Sequence, residues 1–260
     1  QQVMAQDGAT LEVRWPSGPP LAWSGMLADE PAGATGAMLY PAPNAGGLLV
    51  AILTHSLLVS GSRESERAAR QAAADQVVTP FREVIDSLNA DHLTQGMKAR
   101  LATPLAARTV PMVLQLEPHF QVASNHRAIV LNNRIRLQEG GTAGPTLFDG
   151  VIQVVSSPQA EQDPIKQWLD DDARNLREEV VAMLSHGVEI ALQIGKTAAT
   201  APARTQRYTF GNEVRMERGQ PLASGCGRIV LLTLRESWMS VPLPAKDPAA
   251  CTDRYQVSMP

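Results

Sequence analysis

Apolar residues recur at two different periods along this chain, and the change of period divides it into blocks. Between Ser62 and Leu88, the residues Ala69, Ala73, Val77, Phe81, Val84, Ile85 and Leu88 fall three and four apart, the spacing of one helix face. Ser62 reads as the cap and Ser65-Glu66 as acidic support in the first turn. Pro80 lies inside this pattern and predicts a kink or a split near Thr79. A third helical piece, Asp91 to Leu101, is expected to end before Pro104.

The period then becomes two. Val110, Met112, Leu114 and Leu116 alternate with Pro111, Val113, Gln115 and Glu117. Ile129, Leu131, Ile135 and Leu137 alternate with Val130, Asn132, Arg134 and Arg136, so both runs read as half-buried strands. Phe120 to Ala123 continues the strand pattern, Ser124-Asn125-His126 reads as a turn, and Phe148 to Ser156 reads as a further strand. The longest helical stripe follows, from Asp163 to about Thr197, with Asp163 as cap and Pro164 at the first helical position. Ile165, Trp168, Leu169, Leu176, Val180, Met183, Leu184, Val188, Ala191 and Ile194 form its apolar face. Beyond it, Tyr208, Phe210, Val214 and Met216 are expected on one strand face, Arg218 to Pro221 in a turn, and strands over Arg228 to Arg235 and Trp238 to Leu243. Before the first helix the pattern is weak, with short strands at Leu11 to Trp15 and Gly36 to Tyr40 cut off by prolines.

Helices and strands thus arrive in blocks, without strict β-α-β alternation. That order predicts an α+β fold, antiparallel sheet packed against two long amphipathic helices. Two helix-then-meander units are suggested, Ser62 to Ser156 and Asp163 to Leu243, although their residues do not align. The corresponding divisions are an extended arm over 1–61, a first unit over 62–158 and a second over 159–260, all compatible with one domain.

Bulk properties narrow the function classes. Of 260 residues, 44% are hydrophobic and 19% charged, enough apolar content for a packed core. A net charge of −3 with mixed signs, and 4% aromatics, argue against nucleic acid as the main partner. The apolar stretch Gly46 to Ser60 is too short to span a bilayer, since a spanning helix needs about 20 apolar residues. The chain starts at Gln1, without Met and without a leader pattern; a removed signal peptide or lipoprotein leader and a truncated start both account for this.

Two cysteines, Cys226 and Cys251, flank an apolar run and a Pro-rich return. A bridge between them would close a loop of about 26 residues and contribute roughly 3–4 kcal/mol by chain entropy. Such a bridge pins a short polar tail and favours an oxidising compartment; two free thiols are the alternative.

Motifs of common chemistry are missing: there is no P-loop, no dinucleotide fingerprint, no nucleophile elbow and no paired-histidine zinc motif. Neither a cofactor nor a metal is expected. The five histidines, His55, His92, His119, His126 and His186, lack metal-ligand spacing. His119 and His126 could meet across a hairpin with Glu117, a set read mainly as polar surface. Ser185-His186 reads as a helix packing boundary, since adjacent helical residues face apart. Asp170-Asp171-Asp172 reads as acidic complement to a helix start, and Arg63, Arg67 and Arg70 as a solvated face. No catalytic residue is therefore assigned.

In style, an Ala-rich chain with a Gly-rich apolar segment, then an amphipathic helix and antiparallel strands, this sequence resembles proteobacterial periplasmic proteins and lipoproteins. No motif assigns a named family. The expected role is non-enzymatic: an extracytoplasmic, periplasmic or lipid-anchored, cell-envelope protein that binds or scaffolds a protein or envelope partner. The apolar run Leu48 to Val59 is its candidate contact. The alternatives are a hydrolase with a site assembled from distant residues and a carrier of a small apolar ligand.

Overall fold

The computed structural model describes residues 11–27, 65–106, 110–159, 162–194, 201–225, 227–244 and 256–257. The expected strand at Gly36 to Tyr40, the apolar run Gly46 to Ser60, the Ser62 cap and both cysteines lie outside these residues.

Within them the elements run β1 (Leu11–Arg14), β2 (Ala22–Gly25), a helix α1 over residues 65–74, a 3-10 helix (Asp75–Phe81), α2 (Arg82–Ser87), α3 (Ala90–Ala106), β3 (Met112–Val122), β4 (Ile129–Glu139), β5 (Thr146–Val155), α4 (Pro164–Ile194), β6 (Arg204–Phe210), β7 (Glu213–Gly225), β8 (Arg228–Thr233), β9 (Trp238–Pro242) and β10 (Gln256–Val257). Pro80 does split its helix, as a tightened 3-10 turn. Pro104, by contrast, does not end α3. Pro104 lacks the N–H that would donate to the Arg100 carbonyl, and the helix continues for two residues past that missing bond.

Ten strands of the described residues join one sheet in the order β1-β3-β4-β5-β9-β8-β7-β10, with β2 also on β3 and β6 also on β7. Two antiparallel meanders, β3-β4-β5 and β6-β7-β8-β9, supply most of it. The pairing is not wholly antiparallel: β1 and β2 run parallel to β3, and β5 runs parallel to β9. The sheet dominates the fold, and the helices cover one of its faces. That face carries Met112, Leu114, Leu116, Phe120, Ile129, Leu131, Ile135, Leu137 and Ile152, packed against Leu93, Met97, Trp168, Leu176, Val180, Leu184 and Val188. α3 approaches α4 at Gly96, where a Cβ would stand 2.9 Å from Val181.

The second face closes differently. A smaller cluster joins Val130, Val155, Ile229, Leu231, Met239 and Val241 to Tyr208 and Phe210. β6 contacts β9, and Asn125 at the β3–β4 tip donates to Asn212 at the β6–β7 tip at 3.3 Å, so the sheet curls at this end. Tyr208 and Phe210 do not share a face with Val214 and Met216. The two-residue turn Gly211-Asn212 pairs Tyr208 with Arg215 and Thr209 with Val214, which shifts the parity. Tyr208 and Phe210 are buried, while Val214 and Met216 are exposed. Nor does the chain turn at Arg218 to Pro221: β7 runs straight through, with a register irregularity between Pro221 and Ala223.

Capping by Asp163 holds, its Oδ1 accepting from Lys166 N at 3.0 Å. The long helix is broken, however, at Asp170 to Ala173, where Asp171, Asp172 and Ala173 adopt φ near +55°. The three aspartates therefore sit at a junction, not in the first turns of a helix. A continuous helix would place Asp172 four residues from both Trp168 and Leu176, on the apolar face. The break turns Asp172 to solvent and puts Ala173, 2% exposed, in that place. Burying a carboxylate there would cost more than the strained backbone, which is worth about 1–3 kcal/mol per residue.

One polar group in the helix-covered core has no such relief. Asn133 is fully buried on β4 between Pro118 and Ile152, and neither amide atom has a hydrogen-bond partner among the described residues. Replacing Asn133 by Leu should raise stability by about 1–3 kcal/mol, read by urea denaturation; a loss would show that the amide is satisfied in solution.

Candidate functional site

Opposite β3, the edge of the sheet is interrupted. Arg14 pairs with Gln115 and Ala22 with His119, which leaves residues 15–21, seven in all, opposite the three residues 116–118. Pro118 falls in this gap, and Pro16, Gly18, Pro19 and Pro20 fill the excess chain. A proline-rich stretch cannot supply a regular ladder, so it loops out. Both ends of the loop are held. Trp15 Nε1 donates to Thr94 on α3 at 3.0 Å, and Leu21 is buried.

β2 resumes the edge and is itself capped. Gln71 Nε2 donates to the Gly25 carbonyl at 3.0 Å, and Asp75 Oδ1 accepts from Gly25 N at 2.8 Å. A Cβ at Gly25 would lie 1.9 Å from the Ala74 carbonyl oxygen, so only glycine allows this approach. The looped chain and the helical segment after β2 form an open-sided cavity of about 410 Å³. Pro19, Pro20, Leu21, Trp23, Val78, Ile85 and Leu88 line it, with Arg82 and Asp86 adding exposed charges of opposite sign. Trp23 stacks on Phe120 at 4.6 Å, and its indole N–H is buried without a partner among the described residues. The lining residues are mostly apolar, with polar groups at the rim, and the loop that forms one wall is anchored at both ends, which suits a small ligand with an apolar body and a polar end.

Two serine–histidine pairs lie elsewhere. On the second face of the sheet, Ser24 Oγ is 2.8 Å from His119 Nε2, and both residues are half-buried. An amide row continues from there: Asn132 Nδ2 donates to Gln121 Oε1 at 2.9 Å, and Gln153 Nε2 donates to Asn132 Oδ1 at 2.8 Å. On the helix-covered face, His186 of α4 places Nε2 2.8 Å from Ser240 Oγ, while Glu189 Oε2 lies 3.8 Å from Nδ1. The order Ser–His–Glu imitates a catalytic triad. Ser240, however, is 0% exposed in a strand paired on both sides, so no carbonyl carbon can reach its oxygen. Arg228 explains the arrangement better. It donates to Ser240 Oγ and to the carbonyls of Ser240 and Val155, and so ties β8, β9 and β5 together.

The other described histidines, His92 and His126, have local structural partners. His126 sits at φ +57° in the β3–β4 turn, donates from Nε2 to the Val77 carbonyl at 3.0 Å, and its own carbonyl accepts from Trp168 at 2.8 Å. It does not join His119 and Glu117 in a metal set. His92 lies on α3 beside Asn89, and His55 lies outside the described residues. Among the described residues no three His, Cys, Asp or Glu side chains converge. The cavity itself was not legible beforehand, since its only sequence signal is the proline cluster that ends β1.

Comparison with protein-family models, curated proteins and solved structures found no match.

Burial holds the His186 imidazole below its ordinary pKa; Glu189 opposes this and Arg228 adds to it. The unfolded chain therefore takes up a proton near pH 6.5 that the folded one resists. This contribution is present at neutral pH and is lost as pH falls through 6.5 toward the lowered folded value. His186→Asn should flatten the fall in stability between about pH 7 and 5, measured by chemical denaturation; an unchanged slope would remove His186 from the account.

Proposed function

We propose that the protein is a non-enzymatic binding protein that holds a small, mainly apolar ligand in the cavity between the looped sheet edge and the Val78 to Leu88 segment. The cavity carries this reading: its volume of about 410 Å³ falls in the range of small-molecule sites, and seven of its nine lining residues are apolar. A binding role also suits the sealed state of Ser240, which removes the most triad-like constellation from contact with substrate. We place the protein in the cell envelope, outside the cytoplasm; the support is the composition and the cysteine pair. Among the described residues no helix is long and apolar enough to cross a membrane.

The competing hydrolase reading draws on Ser24 and His119, the half-buried pair. A fluorophosphonate probe should label neither serine; covalent labelling at Ser24 would favour hydrolysis over carriage.

Ligand capture is tested with N-phenyl-1-naphthylamine. Its fluorescence should rise on binding while Trp23 emission falls, and Ile85→Trp, which fills the cavity, should weaken binding about tenfold or more, near 1.4 kcal/mol. Equal binding by both proteins would place the probe elsewhere and overturn the assignment.

The tail belongs to the same reading. Gln256 pairs opposite Ser224 and Val257 opposite Ala223, which sets these two residues beside β7. On the cysteine spacing in the sequence we propose a Cys226–Cys251 bridge. Alkylation of the denatured, unreduced protein should add no mass, and Cys251→Ser should cost about 3–4 kcal/mol. Two adducts would mean free thiols.

A further inference from the structure

The two edges of the sheet are treated differently. At one edge, Gln71 and Asp75 satisfy the outward backbone groups of Gly25 on β2. At the other, β6 pairs only with β7, and its outer side has no backbone partner among the described residues. A strand edge of seven residues that no described residue covers is a template for another strand.

The ribbon behind that edge is also unusual. On its outer face, Val214 and Met216 of β7 and Leu234 beyond β8 are 51%, 68% and 63% exposed. Arg207, which pairs with Met216, and Arg218, whose carbonyl accepts from Leu234, frame them. Neither guanidinium has a carboxylate within 4 Å among the described residues, and both are exposed. Arg215 is different, because it stacks over Phe210 at 3.7 Å and pairs with Glu213 at 3.2 Å. Among the described residues this is an apolar patch framed by positive charge without a carboxylate partner, beside an uncovered strand edge, and it has the composition of an interface.

We infer that the outer edge of β6 is a docking strand for an extended acidic segment of a partner protein, which lengthens the sheet by one strand. Charge decides the occupant. A second copy paired antiparallel in register would set Arg207 opposite Arg207, a like-charge contact that disfavours self-association. A segment alternating carboxylates with apolar residues satisfies the backbone edge, pairs with Arg207, and brings side chains to the face that bears Val214 and Met216.

The test uses the full chain and a fluorescein-labelled octapeptide of four Glu-Val repeats, read by anisotropy. Saturable binding is expected, weakened about tenfold or more by the double substitution Arg207→Glu and Arg218→Glu, and likewise by N-methylation throughout the peptide. A Lys-Val octapeptide should not bind. Because both arginines are exposed, the variant should keep the wild-type circular dichroism and melting temperature; Met216→Ser serves as a second, uncharged variant with a smaller loss. Several results would overturn the inference: no saturation by about 1 mM peptide, equal binding by the variant or by the methylated peptide, a concentration-dependent dimer in sedimentation, or binding only to phosphatidylglycerol vesicles, which would make this face a lipid contact.

Discussion

Everything in this fold depends on a seam three residues long. Ile152, Gln153 and Val154 of β5 pair in parallel with Trp238, Met239 and Ser240 of β9, and no other described strand pairing joins the two meanders. Parallel pairing is slightly weaker per residue than antiparallel, and three residues make a short ladder. The seam is reinforced from outside the ladder. Arg228 reaches across from β8 to the Val155 and Ser240 carbonyls, and His186 holds Ser240 from the helix above. Phe148 and Trp238 pack against each other at 4.8 Å along the same line. Constellations that look like chemistry here are better understood as stitching.

The cavity follows from a failure of the opposite edge to stay regular. A strand continued through residues 15–21 would have covered β3 completely and left no space. Prolines in that stretch, together with Pro118 across from it, forbid the ladder and push the chain outward. The space opens where the sheet cannot hydrogen-bond, and the helical segment after β2 forms its other wall.

Much of this architecture is written in local patterns. Period-two runs at Met112 to Leu116 and Ile129 to Leu137 locate the central strands, and the stripe from Leu176 to Ala191 locates the helix that covers them. What remained illegible depends on pairing across distance. Nothing in Ala22-Trp23-Ser24-Gly25 marks a strand until β3 is there to receive it. The face assignment of Val214 and Met216 turned on a single residue of loop length. Parallel contact between β5 and β9 arises from two segments about 85 residues apart. Part of the site was equally hidden, since Trp23 and Ile85 meet only through the fold. The break in α4 did leave a trace: the apolar stripe skips from Leu169 to Leu176, with aspartates in between.

That break gives α4 two allegiances. Its first turns belong to the β3–β4 tip through Trp168, which donates to the His126 carbonyl, and the segment just before the helix is tied to the same tip by Arg127, which donates to the carbonyls of Gln159 and Gln162. Its longer remainder lies on β4 and β5 and against α3. The two rods meet at residues outside helical geometry. Tip and seam are thus held by different stretches of one element, Trp168 before the break and His186 after it.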